Sequence, residues 1–413
     1  MARGPIPLDS RQTYCVYGCS YMKILHVIPS VSVVHGGPSR AMVNIERALA
    51  GRGIEVTTVT TNDDGDDRTL PVQCGSPIVT PYATRWYFPR TTVFFKVSIG
   101  LGQWLRRNVK KFDIVHVHAL FSFAPVAAAF IARQAGVPYV VRPLGVLAPY
   151  GMTKHHPALK RVSFSLIERR LIESADAIHF TSRIEQLEAE ALGLKCQSVL
   201  IPLGIDFGGA PKNTRRKTDQ SGAFELLFLS RIDPKKNIEG LLKAIQLVRM
   251  KKLKVNLTIA GDGDPGYIAK LQAFARLLRI AEYVRWIGHV DGEQKKEVFA
   301  EASAFVLPSY SENFGIAVAE ALAAGLPCLV SRRVALSDQV ERAGAGIVVD
   351  TTPQDIAAGL ERLMRDGVGL LEKSLAARAL AIKKFSLEGM GARLEALYSQ
   401  ILDSKREGKI AVA

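Results

Sequence analysis

Apolar runs of four to seven residues alternate along the chain with longer segments of helical periodicity. Residues 23–28 (KILHVI), 55–61 (EVTTVTT), 112–118 (FDIVHVH), 138–143 (PYVVRP), 177–181 (AIHFT) and 198–202 (SVLIP) read as buried strands. A second series follows at 225–229 (ELLFL), 255–260 (VNLTIA), 283–287 (YVRWI), 304–308 (AFVLP), 328–331 and 346–349. Strand–helix alternation of this kind predicts α/β units with parallel sheets. Between the two series lies 208–222 (GGAPKNTRRKTDQSG), polar, basic and Gly/Pro-bearing, as a domain linker is. We therefore expect two Rossmann-like domains, at 22–207 and 223–385. A terminal helix at 386–405 and a tail at 406–413 follow. Residues 1–21 read as a disordered leader or an over-extended start, because Met22 directly precedes the first strand and no apolar signal core comes before it.

The patterning is densest at 302–327 (ASAFVLPSYSENFGIAVAEALAAGLP): a strand, a polar loop, then an Ala-rich helix stopped by Gly325 and Pro327. The helix is expected from Gly315. Its free N–H groups at Phe314, Gly315, Ile316 and Ala317 would form an anion site suited to a diphosphate. Two carboxylates, Glu312 and Glu320, bracket that site in an E-x7-E spacing, with Glu320 about 8 Å along the axis. Carboxylates accept hydrogen bonds from vicinal hydroxyls, so the layout suits a ribose, a diphosphate and a sugar. An ordinary strand–loop–helix with one solvated and one paired Glu has the same spacing.

SENFGIAVAEALAAGLP resembles the donor-sugar signature of the retaining GT-B glycosyltransferases of family 4 (glycosyl transferases group 1). The resemblance implies that Glu312 binds donor-sugar hydroxyls, that Asn313 to Ala317 hold sugar and diphosphate, and that Glu320 binds the ribose. It extends over residues 22–402 and carries further expectations. Gly36 and Gly37, in the loop after the first strand, match the family's glycine turn beside the donor phosphates, although a plain tight turn is also open. Arg231 and Lys236, flanking the turn after 225–229, match the Arg/Lys pair that neutralises the leaving diphosphate. Gly261 matches the glycine turn near the nucleotide, and His289 and Val290 the place where backbone meets the base. His118 ends its strand and matches the family histidine that touches donor sugar or acceptor; a structural histidine is the alternative. Arg142, ending the next strand, is a candidate acceptor contact.

Several other chemistries are set aside. The opening loop is not G-x-G-x-x-G and no acidic residue ends 55–61, which argues against NAD. Asp262 and Asp264 spell the D-x-D that some glycosyltransferases use for a cation; here it is read as a glycine turn, with no metal required. His116 and His118 share a face, but two histidines alone make a poor metal site. Residues 62–67 (NDDGDD) read as a solvated acidic loop, and 154–170 (KHHPALKRVSFSLIERR) as a basic amphipathic segment suited to an anionic membrane, an anionic acceptor or an ordinary surface.

Composition adds less. The net charge of +15 is shared between the halves, with 23 basic against 15 acidic residues over 1–207 and 31 against 24 over 208–413. That excess suits anionic substrates or membrane faces, and no nucleic-acid motif accompanies it. Five scattered cysteines suggest reduced thiols in the cytoplasm. The expected enzyme transfers a sugar from a UDP- or GDP-sugar to a lipid-linked or polysaccharide acceptor with retention, in the cytoplasm or on the inner membrane face. A GT-B nucleotide-sugar epimerase and a non-catalytic nucleotide-sugar-binding protein are the alternatives.

Overall fold

The computed structural model describes residues 22–65, 68–153, 157–207 and 222–410. The expected leader 1–21, nearly all of the expected linker and the last three residues lie outside them.

The first sheet is built from β1 (Lys23–Val27), β2 (Glu55–Thr61), β3 (Pro77–Val79), β4 (Thr84–Phe88), β5 (Ile114–His118), β6 (Tyr139–Arg142), β7 (Ala177–Phe180) and β8 (Ser198–Leu200). Its order is β3-β4-β2-β1-β5-β6-β7-β8, parallel except for the β3–β4 hairpin. The second sheet comprises β9 (Phe224–Leu229), β10 (Val255–Ala260), β11 (Val284–Gly288), β12 (Ala304–Leu307), β13 (Cys328–Ser331) and β14 (Gly346–Val349), ordered β11-β10-β9-β12-β13-β14. Every pair in it is parallel. Both sheets reverse their winding at a central strand pair, β1/β5 and β9/β12. Open α/β sheets form their ligand crevices beyond the carboxyl ends of such strands.

Side chains alternate between faces with the period of two that the pleat imposes. In the first sheet Leu25, Val27, Val115, Val117, Val141 and Ile178 pack one face. Ile24, Ile28, Ile114, Val140 and Ala177 pack the other, whose core runs on through the C-terminal helix into the second sheet. That helix, Leu387–Ile410, continues to 410 where the sequence pattern suggested an end at 405. Gly391 lets it approach the helix Gly37–Ala50, since a Cβ there would stand 2.7 Å from the Ala48 carbonyl oxygen. Tyr398 is fully buried beneath the first sheet and its hydroxyl meets His116 Nδ1 at 2.7 Å. The last helix therefore completes the core of the first domain. No helix among the described residues is long and apolar enough to cross a membrane.

Gly36 holds the N-cap of the helix Gly37–Ala50 at φ +65°, and the Ser39 hydroxyl donates to the Ser32 carbonyl. One local reading changes: the acidic turn is not simply solvated. Asp63 is fully buried and is bound by His35, Arg90 and Lys96, all supplied from outside the turn.

Removing the Tyr398 hydroxyl (Tyr398→Phe) should cost about 1–2 kcal/mol by stranding a buried imidazole nitrogen. Tyr398→Ala should cost about 3–5 kcal/mol through the cavity it leaves. Chemical denaturation of the two variants beside the parent chain measures both.

Candidate active site

The loop 309–315 is pinned from two sides. Tyr310 N–H donates to the Lys235 carbonyl, Glu312 N–H to that of Arg333, and Ala335 N–H to that of Glu312. Gly315 takes φ +88°, where a side chain would be strained, and it caps the helix Ile316–Ala323. The helix thus opens one residue later than the sequence suggested, leaving the N–H groups of Ile316 and Ala317 at its mouth. Phe314 turns inward and is buried edge-on against Phe385. The side chain of this expected donor residue therefore belongs to the core.

Each expected glutamate has a cationic partner. Glu312 pairs with Lys236 Nζ, both side chains mostly buried. Glu320 accepts from Lys295 Nζ at 2.6 Å and from Arg40 Nη1 at 3.0 Å. Burial holds the Lys295 amine below the usual lysine range, against the pull of Glu320. Lys295 comes from the helix Gly292–Glu301 of the same domain, and Arg40 from the helix Gly37–Ala50 of the other. Neither cation was anticipated. Only the chain's long-range folding brings Arg40 to a carboxylate 280 positions away.

The turn 231–237 stands beside Glu312. Asp233 caps it by accepting from the Lys235 N–H at 2.9 Å, and buried Asn237 anchors it to the carbonyls of Pro308 and Thr351. Arg231 is exposed and lies 3.4 Å from Asp233. Gly261 (φ +137°) packs so tightly that a Cβ would fall 1.9 Å from the Ser230 carbonyl oxygen. Asp264 is committed to capping the helix Pro265–Leu277 through the Tyr267 N–H at 2.7 Å. The D-x-D stretch is thus a backbone turn at the β9/β10 ends. At the end of β11, His289 is exposed whereas Val290 is buried, so Val290 offers only backbone.

The first domain meets this unit directly. A Cβ on Gly37 would stand 3.5 Å from Ile316, and one on Gly145 only 2.4 Å from Asn313. Ser182 Oγ donates to the Asn313 carbonyl at 3.0 Å. Gly36 is nearby in sequence with open space around its α-carbon. Three non-glycine residues with left-handed backbone, Ala119, Phe121 and Leu144, follow the ends of β5 and β6, where strain is characteristic of functional loops.

Two expected contacts stand elsewhere. His118 ends β5 but is fully buried: its Nε2 meets His26 Nδ1 at 2.8 Å, and Arg142 Nη1 reaches its Nδ1 at 3.5 Å. Arg142 is itself buried, so it does not present an acceptor contact on the cleft surface. Both belong to a polar row, His26, His116, His118, Arg142 and His179, running across β1, β5, β6 and β7 beneath Tyr398. Its hydrogen bonds fix the tautomers. Arg142 can only donate, so His118 Nδ1 accepts and its Nε2–H donates to His26. His26 is the third histidine that the sequence reading lacked, and with His116 and His118 it brings ligand atoms within 4.8 Å of one another. The donor set suits a cation, but the adjacent Arg142 guanidinium opposes one electrostatically.

Two family models divide the chain. Residues 36–204 match the glycosyl transferase 4-like domain, and residues 211–381 match glycosyl transferases group 1. With two Rossmann-like sheets facing across the loops just described, the chain belongs to the group 1 glycosyltransferases of GT-B fold. It is 26% identical to glycogen synthase from Mycobacterium tuberculosis over 89% of this chain and 91% of that one. Identity is also 26% to a phosphatidyl-myo-inositol mannosyltransferase of the same species, over 76% and 82% of the two chains. A GDP-mannose-dependent mannosyltransferase of Mycolicibacterium smegmatis, which acts on a phosphatidylinositol monomannoside, is 28% identical over 59% and 66%. Among solved structures, sucrose-phosphate synthase from Thermosynechococcus elongatus superposes with a TM-score of 0.76 at 19% identity, covering 93% of this chain and all of that one. Anabaena HepE with UDP and glucose gives 0.72 at 17%, covering 92% and all.

Burial first, then Arg142, pushes the His26 and His179 imidazoles down to about 3. In the unfolded chain they titrate near 6.5, so between pH 6.5 and 3 the unfolded state binds more protons and stability falls with falling pH. Each histidine should contribute about 1.4 kcal/mol per pH unit in that window and nothing above it. Urea midpoints between pH 7.5 and 5 should show this slope, and His26→Gln should make it shallower.

Proposed function

We propose that the chain is a retaining family 4 enzyme that moves a sugar from a UDP- or GDP-sugar to a hydroxyl of a lipid-linked or polysaccharide acceptor. The observation that carries this reading is the helix mouth at Ile316 and Ala317, bracketed by Glu312 with Lys236 and by Glu320. The N–H groups and positive end of the helix suit a diphosphate. Ribose hydroxyls would donate to Glu320 and sugar hydroxyls to Glu312, each sharing or displacing the cation now bound there. Lys236 and Arg231 would meet the negative charge that grows on the departing diphosphate. That supply of fixed charge makes a metal unnecessary in this account. Beside His118 the described hydrogen-bond partners are His26 and Arg142 and not a carboxylate nucleophile, so we favour same-face displacement, in which the leaving phosphate takes the acceptor proton. The protein's part is then to position the reactants and stabilise charge.

Both bases have support among similar proteins: UDP occupies HepE, and the M. smegmatis enzyme is GDP-mannose-dependent. Lipid acceptors are favoured by the phosphatidylinositol-directed relatives and by the segment 157–173. There Lys160, Arg161, Arg169 and Arg170 accompany exposed Leu159, Val162, Leu166 and Ile167. A basic amphipathic segment of this kind suits the anionic inner face of a cell membrane.

Lys236→Ala and Glu312→Gln should each lower turnover of the accepted donor at least about a hundredfold, as loss of a transition-state contact does. The check is release of nucleoside diphosphate. Proton NMR of the product should show the donor's own anomeric configuration; the opposite anomer contradicts retention.

A further inference from the structure

Behind the first-domain wall of the cleft lies an apolar groove of about 710 Å³, within the size range of small-molecule sites. Leu147, Met152, Phe164, Leu187 and Leu192 line it, and among the described residues Arg161 is the one basic side chain in its wall. The two elements that separate it from the donor unit also touch that unit. Leu147 belongs to the loop leaving β6, whose Gly145 packs against Asn313 and donates its N–H to Glu185 at 2.7 Å. Leu187 belongs to the helix Arg183–Glu190, whose N-cap Ser182 bonds the Asn313 carbonyl. The outer wall is the helical run 157–173, which widens into a π-turn at Phe164–Glu168, a distortion often found at functional sites. That turn places Phe164 inward while Leu166 and Ile167 stay exposed.

We propose that this groove receives one hydrocarbon chain of the lipid-linked acceptor, drawn from the membrane, with the lipid's phosphate at Arg161. The inference rests on the glycosyltransferase reading above and deepens it by assigning the acceptor class. Three observations favour a lipid chain over a soluble glycan. The lining is apolar, where a glycan needs hydrogen-bonding groups. Basic Lys160, Arg161 and Arg170 and exposed Leu159, Val162 and Leu166 stand on the same segment, so the groove's outer wall is itself suited to an anionic bilayer. The opposing carboxyl in the wall, Glu188, is pushed up by burial and by Glu185, which eases its neutralisation beside a phosphate. Chemically, the groove anchors the acceptor by its tail while the adjoining loops present the headgroup hydroxyl to the donor.

The test uses dodecyl phosphate, below its micelle-forming concentration, as the probe in calorimetric titration of the full chain. Inorganic phosphate and dodecyl maltoside are the controls for head and tail alone. The parent chain should bind dodecyl phosphate more tightly than either control. Leu187→Asp, a charge at an exposed lining position, and Ala191→Trp, which narrows the groove without charge, should each weaken binding at least tenfold. Thermal stabilisation by UDP or GDP should be the same in both variants as in the parent. Equal dodecyl phosphate binding in parent and variants overturns the groove assignment. So does adsorption to phosphatidylglycerol vesicles that neither variant changes, since that marks a surface contact alone. Absence of any nucleotide response in the parent chain would instead count against the glycosyltransferase site itself.

Discussion

A mostly buried carboxylate must find compensating charge, and Glu320 finds it on both sides of the cleft. Lys295 approaches from its own domain and Arg40 from the other. Lys295 keeps Glu320 paired within its own domain, and the more exposed Arg40 adds a weaker contact that links this carboxylate to the other domain. Around it the remaining geometry follows. The Glu312–Lys236 pair stands at the opposite side of the helix mouth, and Asn313 between them is held by Gly145 and Ser182 of the first domain. A polyhydroxylated anion entering there would exchange these internal partners for its own hydroxyls and phosphates. Binding and domain arrangement are therefore linked through the same side chains.

The buried row of imidazoles beneath Tyr398 sets the other constraint. Histidines 26, 116, 118 and 179 lie on four different positions of three strands, yet the pleat puts them on one face with Arg142. They tolerate burial only as neutral rings with fixed tautomers. His118, at the carboxyl end of β5, is thereby tied to the core rather than open to the cleft, and any contact it makes with substrate needs this arrangement to rearrange.

Much of this was legible in the sequence. β2, β10, β13 and β14 fall where their apolar runs end, and the helix after Ser309–Phe314 begins one residue from its expected start. Short-range chemistry is readable because the pattern and the structure have the same period. What escaped reading depends on distant partners. Asp63 looked solvated because nothing in 62–67 announces that His35, Arg90 and Lys96 converge on it. Arg40 and Lys295 carry no local mark of their shared glutamate. His26 was signalled only by period two, on a strand that pairs in register with His116.

The most direct measurement is the thermal shift of the purified chain against a panel of UDP-, GDP- and ADP-sugars, with Glu320→Ala alongside. Stabilisation by one nucleotide class, clearly weakened in the variant, is the expected result. No response to any nucleotide, or an equal response in the variant, would contradict the assignment of the Glu312–Glu320 unit as the donor site.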